Sequence, residues 1–378
     1  MKSLPLAGIT VVSLEQAVAA PFATRQLADL GARVIKVERE SGDFARDYDN
    51  TVRGMSSYFV WLNRNKESLV LDLKSPADME TLRRLVTKAD VLVQNLAPGA
   101  LDRLGLDATA ALELNPTLIY ASISGYGTEG PFGNKKAYDL LTQCEAGLLS
   151  LTGGPDEPAR VGISVADIAA GMYTYSGILA SLFHRLKTGQ GEVLEITLLD
   201  ALGEWMMQPY FYAEYGGVQQ ERSGPHHATI APYGPFPTSE GTVFFGIQNE
   251  REWKAFCIQV IQSKELLEDD RYQGNTSRVA HRPALHAAIA QVLESLSTDE
   301  VLARLDTAGI ANARLRNMRE FSAHPQLQAR DRWREVGSPV GPLRTLLPPV
   351  TGSNTEYRMD RIPEVGADTV KIRLEFDR

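Results

Sequence analysis

The sequence predicts an α/β protein in which a large domain is built on a parallel sheet and a smaller domain is α+β. Three observations predict this class. Short apolar runs alternate with helix-length segments through the first half, Gly and Pro become frequent near residue 216, and 378 residues exceed one ordinary core. Strands separated by helix-length segments form βαβ units, so we expect a parallel sheet with helices on both faces.

The first half supplies the strands of that sheet. Buried parallel strands are short and apolar throughout, and five such runs occur in order. The predicted strands are Ile9–Leu14, Arg33–Glu38, Leu69–Leu73, Val91–Gln94 and Leu118–Ile123. The helices predicted between them are a stretch opened by Pro21 and closed by Gly31, then Pro76–Lys88 and Asp107–Asn115.

The second half begins with a long helix from Asp167 to about Lys187, followed by a strand at Glu192–Leu199 and a helix from Asp200. We place a domain boundary near residue 216, where the composition changes. Residues 1–215 form the first part of the large domain, 216–325 the small domain, and 326–378 a return to the large domain. Predicted helices of the small domain are Glu250–Gln262, Arg282–Ser295 and Asp299–Ala308.

Composition excludes several classes of function. The 39 Lys and Arg are outnumbered by 47 Asp and Glu, giving a net charge of -8, which argues against nucleic acid or an anionic membrane as partner. Cys144 and Cys257 are too few for a disulfide framework or a zinc knuckle. No apolar run reaches about 18 residues and no signal peptide is visible, so we expect a cytoplasmic protein without a membrane span.

Two common cofactor signatures are missing. The turn after the first strand, Glu15–Pro21, lacks the glycines of GxGxxG, so a nicotinamide oxidoreductase is disfavoured although Glu38 ends the second strand. His226 and His227 are the only clustered histidines, and on a strand adjacent side chains point apart. The sequence therefore predicts no metal site and no resident cofactor.

Three polar clusters are predicted at the carboxyl ends of strands, where open α/β sheets bind ligands. The first is Val34–Arg39, the second Asn63–Lys66 with Leu71–Lys74, and the third Gln94–Gly99 followed by Arg103. Basic side chains and an amide that converge there suit a phosphorylated, nucleotide-like ligand. The alternative is that these are solvated loop residues.

Asp167 is the sharpest single candidate for catalysis. It lies among small and apolar residues in Arg160–Gly171, where the long helix begins. An acid at this position is commonly a cap or a first-turn residue stabilised by the helix dipole. Small neighbours would, however, let a bulky substrate approach the carboxylate, as covalent catalysis requires.

An ordered set of segments over residues 5–205 resembles the class III CoA-transferases, the family of formyl-CoA transferase and carnitine CoA-transferase, with α-methylacyl-CoA racemase as a relative. The segments include ITVVSLEQAVAAPFATRQLADLGARVIKVE, NRNKESLVLDLKSP, DVLVQNLAPGALDRLGL, VGISVADIAAG and HRLKTGQGEVLEITLLDA. The resemblance implies an interlocked homodimer with a Rossmann-like large domain. It implies that Asp167 attacks an acyl-CoA and then carries CoA as a thioester, with CoA as substrate and no permanently bound cofactor.

The resemblance also implies a set of residues that contact CoA. Those at its adenine and phosphate side are Arg39, Leu71, Lys74, Asn95, Leu96, Ala97 and Arg103, and those toward the thioester are Val18, Ala19, Lys136 and Tyr138. Four of them, Arg39, Lys74, Asn95 and Arg103, belong to the polar clusters.

Departures from the family pattern narrow the reaction. Val18 stands where formyl-CoA transferases have Gln, and 216–250 has no tetraglycine run, so formyl-CoA/oxalate exchange is not expected. Racemases use His before Asp where this chain has Tyr138-Asp139, and a Tyr of pKa near 10 is a poor base.

The stretch from His226 to Phe236 is similar to family members that handle C4–C5 dicarboxylic acids such as mesaconate, citramalate, malate and itaconate. We therefore predict CoA transfer between succinyl-CoA, or a related donor, and such an acid. Arg46, His226 and His227 are candidate partners of its second carboxylate. The alternatives are a 2-methylacyl-CoA racemase, an intramolecular mesaconyl-CoA CoA-transferase, a silent acyl-CoA binder and a nicotinamide oxidoreductase.

Overall fold

A computed structural model describes residues 4–377 and contains a six-stranded, all-parallel sheet. Its strands are β1 Thr10–Leu14, β2 Arg33–Glu38, β3 Lys66–Val70, β4 Val91–Gln94, β5 Ile119–Ser124 and β6 Glu192–Thr197. They lie in the order β3-β2-β1-β4-β5-β6, so the order reverses between the adjacent strands β1 and β4. This is the doubly wound, Rossmann-like arrangement, in which ligands bind beyond the carboxyl ends of the strands at the reversal.

Two antiparallel sheets complete the strands. One contains β7 Tyr233–Pro237, β8 Thr242–Gly246 and β9 Asn312–Arg314, and the other contains β10 Trp333–Val336 and β11 Leu343–Leu346. The predicted combination of a parallel α/β sheet with a smaller α+β part is therefore confirmed.

The helices that precede residue 200 are α1 Ala19–Asp29, α2 Ser57–Leu62, α3 Pro76–Lys88, α4 Ala108–Leu114, α5 Asp139–Glu145, α6 Val165–Thr188 and α7 Leu198–Trp205. Those that follow are α8 Met207–Gly216, α9 Glu250–Ala255, α10 Lys264–Glu268, α11 Asn275–Ala280, α12 Arg282–Leu293, α13 Thr298–Thr307, α14 Met318–Ser322, α15 Pro325–Ala329 and α16 Thr369–Phe376. A π-helical turn, Phe256–Ile261, extends α9.

Contacts divide the chain into two compact units. The first comprises Met1–Gly147, Val161–Gln208 and Leu327–Arg378, and the second comprises Leu148–Arg160 and Pro209–Gln326. In the first unit, alternate residues of the strands, such as Val12, Leu14 and Ile35, pack on α3 and α16 in one core. The second unit has its own core around Trp253 and Phe256.

Local sequence signals set most boundaries. Strand β4 and helix α3 have the predicted limits, and Asp107 caps α4 by accepting from the Ala110 amide at 2.9 Å. Helix α1 begins two residues before Pro21, at Ala19, so Pro21 lies inside its first turn, where a missing N–H costs nothing.

Several predictions about local structure were wrong. The strand predicted at Glu192–Leu199 ends at Thr197, and Leu198 begins α7. Strand β3 ends at Val70 and not at Leu73, because the buried Leu71 packs against the core from the loop. Asn63–Lys66 consequently lies at the amino end of β3, whereas we predicted the carboxyl end. His226 and His227 lie in a turn before β7 and not on a strand.

No helix within residues 4–377 combines the length and the apolar character that crossing a membrane requires. The expectation of no signal peptide rests partly on residues 1–3, which lie outside the described part of the chain.

Candidate active site

The carboxyl ends of four adjacent strands enclose a cleft of ≈ 270 Å³. Its lining includes Gln16 after β1, Arg39 after β2, Lys74 after β3 and Leu96 after β4. The cleft thus lies where the strand order reverses, as the doubly wound topology leads one to expect. Of the predicted CoA residues, Arg39, Leu71, Lys74 and Leu96 line it.

The turn between β1 and α1 borders this cleft in an unusual backbone conformation. Ala17 has a φ of 61°, the left-handed region, which costs a residue with a Cβ roughly 1–2 kcal/mol. Asn95 clamps the preceding residue: its Oδ1 accepts from the Gln16 amide at 2.9 Å and its Nδ2 donates to the Gln16 carbonyl at 2.8 Å. The side chain of Asn95, a predicted CoA ligand, is therefore used on both atoms to hold the turn.

Beneath the turn lies a buried network of two carboxylates and two ammonium groups, all with fully buried side chains. Lys66 donates to Glu15 at 2.6 Å, and Lys36 approaches Glu15 at 3.4 Å and Asp43 at 2.8 Å. Burial by itself would raise the pKa of Glu15, but Lys66 and Lys36 outweigh burial and lower it to about 2. The network is charge-balanced, which a dry location requires.

Asp167 lies in the first turn of α6 and is half-buried. Within residues 4–377 no group donates a hydrogen bond to its carboxylate. Burial, and in second place the charge of Asp139, raises the pKa of Asp167 to about 7. A carboxylate that accepts no hydrogen bond and has a raised pKa is more nucleophilic than an ordinary carboxylate, because no donor stabilises its negative charge.

Asp139 holds the start of the helix that carries Asp167. Its Oδ1 accepts from the amides of Ala166 at 2.8 Å and Asp167 at 3.3 Å. Its Oδ2 accepts from Gln143 Nε2 at 2.7 Å, and Gln143 Oε1 accepts from the Val161 amide at 3.1 Å. Asp139 thus caps α6 from another helix and puts a second negative charge beside Asp167.

Helices α1 and α6 approach closely one turn beyond Asp167. A Cβ added to Gly171 would lie 2.7 Å from the Ala19 carbonyl oxygen and 3.0 Å from Phe22 Cδ1. Only glycine therefore fits there without displacing backbone. The contact fixes Ala19, at the start of α1, against the helix of Asp167, and both Val18 and Ala19 are buried.

The remaining predicted CoA residues lie on exposed surface of the first unit. Ala97 and Arg103 follow β4, and Lys136 and Tyr138 precede α5. Tyr138 has 66% of its surface exposed, which leaves its ring available to a ligand.

The three candidate partners of a second carboxylate differ in how they are already engaged. Arg46 forms a two-pronged ion pair with Glu38, at 2.9 Å and 2.8 Å, and lies 3.6 Å from the centre of the Phe59 ring. His226 and His227 belong to the second unit. His227 stacks on Tyr233 at 5.1 Å and its Nδ1 accepts from the Thr229 amide at 3.2 Å, which assigns the ring proton to Nε2.

Sequence reasoning missed several residues of the site. Tyr48 lies close enough to Asp43 and Asp167 for their charges, after the larger effect of burial, to raise its pKa to about 12. Asp139 and Asp43 were missed as well. A usable signal existed for Glu15 and Lys36, because a charged residue within or directly after an apolar strand must find a partner.

Within residues 4–377 no group of three or more His, Cys, Asp or Glu side chains is arranged to hold a metal ion. The β1–α1 turn does not favour binding of a dinucleotide. A pyrophosphate would need to approach glycine backbone there, and the turn has the buried residues Val18 and Ala19 instead.

Comparison with known proteins gives consistent matches. The model of CoA-transferase family III matches residues 6–369. The chain is 33% identical over 390 residues to the succinate–glutarate CoA-transferase of Agrobacterium fabrum, covering 99% of this chain and 96% of that protein. It is 30% identical over 395 residues to the succinyl-CoA:mesaconate CoA-transferase of Haloarcula marismortui, covering 98% of each. A CAIB/BAIF family protein from Brucella suis superposes with a TM-score of 0.88 at 33% identity, over 100% of both chains.

Proposed function

Because this chain belongs to CoA-transferase family III and is a CoA-transferase, we propose that it moves CoA between succinyl-CoA, or a related donor, and a C4–C5 dicarboxylic acid. Relatives at 33% and 30% identity are named for succinate with glutarate and for succinyl-CoA with mesaconate. We therefore add glutarate to mesaconate, citramalate, malate and itaconate as acceptors to be tested.

The observation that carries the chemistry is the carboxylate of Asp167, which has a pKa raised to about 7 and no hydrogen-bond donor among residues 4–377. Its oxygen attacks the thioester carbonyl of the donor, so a mixed anhydride forms and CoA thiolate leaves. The thiolate attacks the Asp167 carbonyl, releases the donor acid and leaves an aspartyl-CoA thioester. The acceptor carboxylate reverses both steps and leaves as the new thioester.

Water would destroy either intermediate, so the site must exclude it while the substrates exchange. Buried small residues on both sides of Asp167, Ala166, Ala169 and Ala170, contribute no competing nucleophile.

We assign the phosphate-rich end of CoA to the cleft at the strand ends. Arg39 and Lys74 line this cleft, and cationic side chains there match the charge of the phosphates. Leu71 and Leu96 add apolar surface for the adenine. Asn95 contributes by holding the turn, and Ala97 and Arg103 extend the binding surface. Val18, Ala19, Lys136 and Tyr138 are assigned to the pantetheine and thioester end on the family pattern.

The second carboxylate of the acid needs a donor that is free to bind it. Arg46 would have to leave Glu38, which makes it the weakest of the three candidates. His227 is exposed and keeps its ring proton on Nε2, and we favour it over His226, whose Nδ1 is buried. Replacing His227 by Ala should raise KM for a dicarboxylate far more than KM for a monocarboxylate.

We propose that the enzyme acts as an interlocked homodimer in the cytosol. Helix α6 exposes 60% of Phe183 and 83% of Leu186, and α8 exposes 52% of Phe211 and 78% of Tyr215. Large apolar side chains in such number call for a covering surface, and a second copy is the partner that the family pattern implies. Cys144 and Cys257 are both unpaired, as is usual in the cytosol.

The function is tested by intact-protein mass spectrometry after incubation with succinyl-CoA, with Asp167→Ala and Asp167→Asn alongside. We expect the wild type to gain the mass of CoA less water and both variants to gain none. Each candidate acid is then added to the labelled protein, and the true acceptor discharges it. An unlabelled wild type that binds CoA and exchanges the α-proton of a 2-methylacyl-CoA with deuterated water would instead be a racemase.

A further inference from the structure

We propose that Asp43 is a positioning residue of the transferase: it holds the β1–α1 turn in its left-handed conformation at Ala17, and thereby sets where Ala19 lies against the helix that carries Asp167. The inference rests on the proposed function, because the consequence of the positioning is the rate of attack by Asp167.

The contact between Asp43 and the turn is direct. Asp43 Oδ1 accepts from the Ala17 amide at 3.2 Å and from the Ala45 amide at 2.9 Å. A φ of 61° is disfavoured for alanine, so the conformation needs an external partner to persist. The acceptor that Asp43 presents to the Ala17 amide is such a partner.

Asp43 is itself fixed on every side. Its Oδ2 accepts from Lys36 at 2.8 Å, and its own amide donates to Glu38 at 2.9 Å. Lys36 in turn donates to the carbonyl of Glu15 at 3.2 Å, the first residue beyond β1. The buried ion network therefore connects the loop after β2 to the turn after β1. Position 43 requires a carboxylate, because the buried ammonium group of Lys36 needs a negatively charged partner.

The position of the turn is passed on to the nucleophile through backbone. Helix α1 starts two residues after Ala17, and the Phe22 amide donates to the Val18 carbonyl at 2.8 Å. The Ala19 carbonyl oxygen then lies against Gly171, so close that a Cβ there would be 2.7 Å away. Gly171 is four residues after Asp167, which is about one helical turn. A turn that relaxed at Ala17 would move Ala19 relative to this part of α6.

The experiment compares wild type with Ala17→Gly, Ala17→Val, Asp43→Ala and the double variant Asp43→Ala/Ala17→Gly. Glycine adopts a φ of 61° freely, whereas a β-branched residue does not. For each protein we measure kcat and KM for CoA transfer from succinyl-CoA, per folded molecule, and amide hydrogen exchange of the segment containing Ala17.

We expect Ala17→Gly to stay within about twofold of the wild-type kcat, and Ala17→Val and Asp43→Ala to lose at least about tenfold. Asp43 borders the cleft, but Arg39, Lys74 and Leu96, which line it after β2, β3 and β4, are unchanged. KM for succinyl-CoA should therefore change by less than about threefold. The amide of residue 17 should exchange slowly in wild type and fast in Asp43→Ala. The double variant should recover about fivefold in kcat over Asp43→Ala, because glycine removes the strain that the lost hydrogen bond had offset.

Asp107→Ala is the matched control, because Asp107 also accepts a backbone amide at a helix start, from Ala110 at 2.9 Å, and should keep the wild-type kcat. Rescue by glycine distinguishes positioning from a purely structural role. If Asp43 were only structural, Asp43→Ala would lower stability, and the residue at position 17 would not change kcat per folded molecule. A folded Asp43→Ala with wild-type kcat, an unimpaired Ala17→Val, or a double variant no faster than Asp43→Ala would overturn the proposal. If wild type itself transfers no CoA, the proposed function fails and the positioning proposal falls with it.

Discussion

Replacing Asp139 by Asn should lower the pH at which Asp167 becomes an active nucleophile. In the proposed mechanism the ionised carboxylate of Asp167 is the attacking species, and burial together with the charge of Asp139 raises its pKa to about 7 from an ordinary 3.8. The change to Asn removes that charge but keeps an oxygen that can accept from the Ala166 amide, as Asp139 Oδ1 does at 2.8 Å. Removing a neighbouring negative charge favours ionisation, so the pKa of Asp167 must fall.

The size of the change has an upper bound. Burial is the larger of the two causes, so the charge of Asp139 accounts for less than half of the rise in the pKa of Asp167 from 3.8 to about 7, which is less than about 1.6 pH units. We therefore expect the midpoint to fall from about 7 to roughly 5.5–6.5.

The assay is the rate of CoA-adduct formation on Asp167 in a single turnover with succinyl-CoA, followed from pH 5 to pH 9. In wild type the rate should rise with pH and level off above about 7. The variant should level off earlier, and at pH 6 it should reach a several-fold larger share of its own plateau. Its free energy of unfolding should fall by about 1 kcal/mol, because Gln143 Nε2 then faces an amide group.

Asp107→Asn is the matched control, since Asp107 also caps a helix, α4, and its replacement should leave the midpoint near 7. A midpoint that stays at 7 in Asp139→Asn would refute the claim that the charge of Asp139 acts on Asp167. A midpoint that rises would refute the sign of the argument.

Three further predictions concern stability. Gly171→Ala should lower Tm and kcat together, because its Cβ would lie 2.7 Å from the Ala19 carbonyl oxygen and overpacking costs about 1–3 kcal/mol. Lys66→Met should lower the free energy of unfolding in urea by about 3–5 kcal/mol, since it leaves Glu15 with one fewer partner in a fully buried site. His286→Gln should weaken the loss of stability in acid by up to about 2 kcal/mol, because burial, with His226 and Arg282, lowers the pKa of His286 to about 4.

The sign of the last effect follows from proton uptake. Between pH 6.5 and pH 4 the unfolded chain protonates this histidine and the folded chain does not, so stability falls as the pH falls through that window. His281→Gln is its control, because His281 is exposed. Gly177→Ala is the control for Gly171, since its Cβ would meet only Leu194 at 3.4 Å. Lys264→Met is the control for Lys66→Met, because Lys264 is exposed.

Each of these predictions has a contrary result. A Gly171→Ala protein as stable and active as Gly177→Ala would mean that α1 and α6 do not meet as described. Equal losses in Lys66→Met and Lys264→Met would contradict a buried network. Parallel pH–stability curves for wild type and His286→Gln would assign the acid sensitivity to other groups.

Much of the first unit could be predicted from local patterns. The apolar run Val91–Gln94 and the helical period of Pro76–Lys88 have the observed limits, because strand and helix formation there depends on residues close in sequence. The pattern failed at Leu69–Leu73, where apolar Leu71 and Leu73 belong to a loop. Burial makes a loop leucine resemble a strand leucine, and hydrophobicity alone does not distinguish the two.

The site divides in a similar way. Arg39, Lys74 and Leu96 were expected beyond strand ends, and they line one cleft because parallel strands end at a common edge. Asn95 was expected as a ligand, and the structure adds that its side-chain amide holds the Gln16 backbone. Sequence shows that a polar group is present and does not show which partner it reaches.

The sequence by itself determined the parallel sheet, the order of strands and helices along the chain, and the family, because each depends on periodicity or on motifs within a few residues. Only the tertiary structure decided that Lys66 binds Glu15, that Asp139 lies beside Asp167, and that Ala17 is held in a left-handed turn. These contacts join residues separated by tens of positions, and their distances depend on how the helices pack against the sheet, which no local pattern encodes.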